Sequence, residues 1–93
     1  MNKLIIDSKI EIVEINKKED TFFINGFLAE EKQKIKFIFK TKDENKVFEF
    51  ENLDKDKKYR AIGNIFVKYK KFIYVSVNIQ SIEDMNGNVL IAH

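Results

Sequence analysis

Cations and flat rings crowd one stretch of this chain. Residues 55–71 carry Lys55, Lys57, Lys58, Arg60, Lys68, Lys70 and Lys71 against Asp56 alone, whereas residues 1–54 carry ten lysines against twelve acidic residues. Phe66, Tyr69, Phe72 and Tyr74 interleave with the later part of the basic run. Ammonium and guanidinium groups neutralise phosphates, and aromatic faces stack on unpaired bases at roughly 1–3 kcal/mol per base. The constellation fits a single-stranded nucleic acid, with Arg60, Lys68, Lys70 and Lys71 on phosphates and Phe66, Tyr69, Phe72 and Tyr74 on bases. Lys34, Lys36 and Lys40 extend the cationic track if their segment lies alongside. Ser76, Asn78 and Gln80 offer hydrogen bonds to base edges or sugars. The plainer role of the same lysines is to blunt strand edges against aggregation, and it carries equal weight.

Catalysis has little to work with. The one histidine, His93, closes the sequence with no obvious partner and is expected to be exposed and incidental. Ser8, Ser76 and Ser81 therefore lack the base that a hydrolytic triad needs. There is no cysteine, hence no disulfide framework and no thiolate metal site. Glu49 and Glu51 would stand about 6.6 Å apart on one strand face, a spacing open to a cation but more simply a solvated surface. Three glycines form no phosphate-cradling loop. The expectation is a binding protein with no enzymatic activity, no cofactor and no metal.

Ninety-three residues bound the chain to one domain, residues 1–93, with a compact core. Leu4-Ile5-Ile6 is interrupted at Asp7, too short for a signal peptide, and no run approaches the roughly 18 apolar residues of a membrane span. A cytoplasmic protein is expected. Its wealth of lysine, isoleucine and asparagine points to an AT-rich bacterial or phage genome.

The elements that must position these groups are strands. Period-two alternation runs through residues 3–15 (Leu4, Ile6, Ile10 and Ile12 on one face), with a bend near Ser8. It returns over residues 21–29 (Phe22, Ile24, Gly26, Leu28) and 34–40 (Ile35, Phe37, Phe39). Gly26 marks a bulge or corner. Residues 46–50 read as a short strand with Phe48 and Phe50 on one face, or as a helix using Val47, Phe50 and Leu53. Asn86-Gly87 predicts a type I′ turn before a last strand at 89–92.

The central pair of strands is the most informative. Tyr59, Ala61, Gly63, Ile65 and Val67 share one face of the first; Ile73, Val75, Val77 and Ile79 share one face of the second. If both bury these faces, Val67 sits across from Ile73 or Val75, which demands an odd number of loop residues around Tyr69 to Lys71. That register sends Phe66 outward with Phe72 and Tyr74, beside Arg60 and Lys68.

Five to seven short strands with at most one short helix predict an all-β barrel or sandwich, and closure into a barrel removes the exposed edges of a chain so rich in strands. Ile24-Asn25-Gly26-Phe27-Leu28 followed by Lys36-Phe37-Ile38-Phe39 resembles the first two strands of anticodon-binding-type OB-folds. Tyr59-Arg60-Ala61-Ile62-Gly63-Asn64-Ile65 and Ile73-Tyr74-Val75-Ser76-Val77 resemble the fourth and fifth strands of single-stranded-DNA-binding proteins. The resemblance covers about residues 20–82, with the first strand surplus; an alternative register starts the barrel at Lys3 and makes residues 21–40 its second and third strands. In this resemblance the helix between third and fourth strands is short or absent, and the turn Glu30-Glu31-Lys32 is not basic. It implies a small antiparallel Greek-key barrel and non-enzymatic binding of single-stranded nucleic acid, DNA in preference to RNA. The rival is a protein-interaction module, either a homodimer or a small inhibitor-type protein docking on a larger partner. That reading rests on Phe23 and Phe27 as outward rings without nearby positive charge.

Overall fold

A computed structural model describes residues 3–93. Six strands and one helix follow in the order β1 (Lys3–Lys18), β2 (Thr21–Glu30), β3 (Gln33–Thr41), α1 (Glu44–Glu51), β4 (Tyr59–Tyr69), β5 (Ile73–Glu83) and β6 (Val89–Ala92). The sheet order is β3-β2-β1-β4-β5-β6, and β3 also pairs with β5, so the first five strands close on themselves as a Greek-key barrel. All pairings are antiparallel except that closing seam, which is parallel and joins Lys36–Ile38 to Ser76–Asn78.

β1 is the hub of the barrel, not a surplus strand. Its first half pairs with β4 (Lys3↔Asn64 to Ser8↔Tyr59) and its second half with β2 (Lys9↔Ala29 to Lys18↔Thr21). The change of partner falls at Ser8, where a bend was expected. The barrel thus begins at Lys3, and the register beginning near residue 20 is replaced by the alternative one.

Two corners let the strands curl. In β1, Val13 is an extra residue between Ile12↔Gly26 and Glu14↔Asn25; in β5, Gln80 is extra between Gly63↔Ile79 and Ile62↔Ser81. Each bulge lies against a glycine that admits a close backbone approach. A Cβ on Gly26 would collide with the carbonyl oxygen of Glu11 and come within 2.9 Å of the Phe37 ring; one on Gly63 would collide with the carbonyl of Asn78. The Gln80 bulge also reverses parity, so both Ile79 and Ile82 point inward.

Inside the barrel sit Ile10, Ile24, Leu28, Phe37, Phe39, Ala61, Val77, Ile79, Ile82 and Ile91. The stretch open to two readings is the helix. Asp43 caps α1 by accepting the N–H of Asn45 at 2.9 Å, and Val47 and Phe50 are buried. Phe50 plugs the barrel mouth against Phe39 (centroids 4.9 Å apart) and Phe37 (6.2 Å). Phe48, paired with Phe50 in the strand reading, is instead exposed. Helical spacing wins because the cap and the apolar plug act together. The turn at Asn86-Gly87 also differs from expectation: only Gly87 has positive φ, and its N–H donates to Asp84 three residues back. A type I′ turn needs positive φ at both central positions; here the Asp84 carboxylate, accepting from the N–H groups of Asn86 and Asn88, fixes a longer turn.

The packing makes two predictions. Gly26→Ala should lower the stability measured by urea unfolding by about 3 kcal/mol, the upper end for overpacking, since the obstacle is backbone. Ser8 is fully buried, and its hydroxyl has no hydrogen-bond partner among the described residues. Because an unsatisfied buried hydroxyl is a net cost, Ser8→Ala should leave stability unchanged or raise it by about 1 kcal/mol; a loss of that size would show that the hydroxyl is bonded in solution.

Candidate nucleic-acid interface

Pairing of β4 with β5 runs to Val67↔Val75, Lys68↔Tyr74 and Tyr69↔Ile73, leaving Lys70, Lys71 and Phe72 as the loop. The odd loop count required by parity is met. Burial of the aliphatic face is not: Val77 and Ile79 are 1 % exposed, but Val75 is 50 % and Ile73 68 %. Among the described residues, β1 covers β4 only as far as Asn64 and β3 covers β5 only from Ser76. Beyond those points the hairpin is a two-stranded arm standing clear of the barrel, so neither face has anything to pack against.

One face of the arm continues onto the outside of the barrel. The register aligns Phe27, Lys36, Ser76 and Phe66 in one cross-strand row and Asn25, Ile38, Asn78 and Asn64 in the next. At the usual strand spacing Phe27 and Phe66 are about 14 Å apart, with Lys36 and Ser76 between them. Where the arm leaves the barrel, a groove of about 420 Å³ opens, lined by Lys36, Phe66, Lys68 and Tyr74, with Asn25, Ile38, Ser76 and Asn78 among its other walls. Phe66 and Tyr74 are 42 % and 53 % exposed there. Phe72, in the loop, meets Tyr74 edge-on at 6.5 Å. Lys70 and Lys71 form the exposed tip.

Three residues of the sequence constellation are placed otherwise. Arg60 shares the outward side of β4 but lies six residues from Phe66, about 20 Å along the strand. Its guanidinium binds Asp7, Nε to Oδ1 at 2.9 Å and Nη2 to Oδ2 at 3.3 Å. Tyr69 projects from the opposite face of the arm, with Val67 and Ile73. Lys34 stands at the far end of β3, bridged to Glu11 at 3.2 Å.

Phe23 and Phe27 were read as rings without cations, and the fold corrects that. The two-residue β2–β3 turn sets Phe23 opposite Lys40 and Phe27 opposite Lys36. Lys40 lies over the Phe23 ring at 6.0 Å and Lys34 over Phe27 at 5.6 Å, just as Lys68 lies over Phe66 at 5.5 Å. Such contacts are worth about 0.5–1 kcal/mol at exposed sites, less than the stacking of a base. His93 is exposed, as the sequence suggests, but it is not without partners. Its ring stacks on Phe39 at 4.6 Å, and Nε2 lies 3.2 Å from the carbonyl of Ile79, a structural role closing the barrel end.

No protein-family model matches this chain, and no curated protein matches it in sequence. Among solved structures, the crystal structure of the SSB domain of a protein from Synechococcus sp. superposes with a TM-score of 0.68, over 89% of this chain and 94% of that one, at 9% identity. The chain has an OB-fold. In an OB barrel the face of the second and third strands, with the first–second and fourth–fifth connections, is where oligonucleotides and oligosaccharides bind. The groove lies on that face. Among the described residues no three His, Cys, Asp or Glu side chains gather as metal ligands, and no helix is long and apolar enough to cross a membrane.

Hydrogen bonds from Arg60, reinforced by its charge, hold the Asp7 carboxyl below the usual carboxylate range. The Asn88 side chain and main chain do the same for Asp84. A depressed folded-state pKa stabilises the fold above the unfolded value and is lost as pH falls through the folded one. The urea midpoint should therefore drop as pH falls below about 4, and Asp7→Asn should flatten part of that drop.

Proposed function

We propose that this OB barrel binds single-stranded nucleic acid, DNA in preference to RNA, and performs no chemistry on it. One observation carries the reading: Phe66 and Tyr74 project into the same open groove as Lys36 and Lys68, on the ligand face of the fold. Bases stack on the two rings, while Lys36 and Lys68, with Lys70 and Lys71 at the arm's tip, neutralise phosphates. Asn25, Ser76 and Asn78 meet sugars or base edges, and Phe27, at the far end of the Lys36 row, offers a further ring. Arg60, tied to Asp7, is left to hold β1 to β4. The preference for DNA rests on the fold's likeness to an SSB domain.

A second reading has its own support. The arm's other face presents Val67, Tyr69, Ile73 and Val75 exposed, with no lysine among them, a surface suited to a protein partner or a second copy of the chain. Light scattering on the eluting protein separates a dimer from a monomer.

Fluorescence anisotropy with a labelled oligothymidine at two salt concentrations tests the first reading. Affinity should fall steeply with salt, because each phosphate contact releases counterions; no binding at low salt would abandon it. Oligouridine in competition reads the sugar preference. Lys68→Glu with Lys70→Glu should abolish binding and leave the urea midpoint nearly unchanged. Phe66→Ala should weaken binding by roughly five- to hundredfold with an unaltered salt slope, the loss of one stacking face.

A further inference from the structure

A second hollow of about 390 Å³ lies at the foot of β3, lined by Thr21, Lys40, Thr41, Lys42, Lys46 and His93, with Asp43 at its edge. Lys40 lines both this hollow and the groove beside the arm, so the two join across one ammonium group. Three lysines line the hollow with two carboxylates near them, Asp43, which is engaged in capping α1, and Asp20, which stands beside Lys42. Ammonium groups gathered on one concave surface favour an anion there. Lys42, Lys46 and Thr41 each keep capacity to serve one, and Lys40 is held only by its contact with the Phe23 ring. Among the described residues Lys42 pairs with Asp20 alone, at 3.5 Å, with both side chains about three-quarters exposed, a pair of small worth. Lys46 gives one proton to the carbonyl of Ala92 and keeps two. Thr41 accepts the N–H of Asp43 at 3.0 Å, which leaves its hydroxyl proton to donate.

We propose that this hollow holds phosphodiester groups of the bound strand after it leaves the groove. Lys40, Lys42, Lys46 and the Thr41 hydroxyl then continue the track begun by Lys36 and Lys68. The inference rests on the binding function proposed above and adds a second contact region to it. Lys36 to Lys40 spans about 13 Å along β3 and Lys40 to Lys42 about 7 Å more, so only a strand longer than the groove reaches both.

The test uses labelled oligothymidines of about 6 and about 16 nucleotides, near the extremes of site size for one OB barrel. Lys42→Ala with Lys46→Ala should leave the short oligonucleotide's affinity within twofold of wild type. It should weaken the long one by at least about fivefold and reduce its salt slope by about 1.4, two phosphates at about 0.7 each. If that variant unfolds, Lys42→Glu, whose one charged partner is exposed Asp20, replaces it and should give the same selective loss. Wild-type binding of both lengths, with the long oligonucleotide indifferent to these substitutions, ends the track in the groove and overturns this inference alone. Absence of wild-type binding to either length overturns it together with the function on which it rests.

Discussion

Closure of the barrel rests on a short parallel seam, in which Lys36–Ile38 lie beside Ser76–Asn78. Without it the sheet would end in two open edges, at β3 and along β5, each a row of unpaired N–H and carbonyl groups. The seam is reached only because β1 and β5 turn corners at Val13 and Gln80, and the corners exist only because Gly26 and Gly63 let backbones touch. A chain of steric permissions thus ends in the row that aligns Phe27, Lys36, Ser76 and Phe66. The candidate interface is a by-product of closure: β3 and β5 are far apart in sequence, and nothing else brings their outward side chains together.

The arm obeys a different rule. Barrel residues are held by burial, whereas the hairpin beyond Asn64 and Ser76 has only its own cross-strand pairs. Two strands alone are marginal in water, so the arm belongs to the low-stability end of the molecule. The exposed rings and lysines of the groove and tip lie partly on this segment, which can adjust to a ligand without disturbing the core. Resting ammonium groups over Phe23, Phe27 and Phe66 fit the same economy. They cover rings that would otherwise face water.

Much of this was legible in the alternation alone. Phe22, Ile24, Leu28, Phe37 and Phe39 point inward as their period demands, and parity narrows the partner of Val67 to Ile73 or Val75, of which the fold takes Val75. Other features had local signals that a period-two reading passes over. Asp43 before Glu44-Asn45-Lys46-Val47 is a helix-capping pattern, and it outweighs the strand-like spacing of Phe48 and Phe50. The cations over Phe23 and Phe27 follow from a two-residue turn at Glu31-Lys32, since that turn fixes every pair in the hairpin.

The chain's own order of residues determined which side chains share a strand face, because pleating forces alternation wherever a strand forms. It limited the arm to registers with an odd loop for the same reason. Only the tertiary structure decided which faces have a neighbour. Ile73 and Val75 are as apolar as Val77 and Ile79, yet two are exposed and two buried, because β3 and β1 stop short of the arm. Arg60 and Lys68 stand on the same side of one strand, but Asp7 on β1 claims the first and leaves the second free. Burial and pairing depend on residues remote in sequence, and those meet only when the barrel closes.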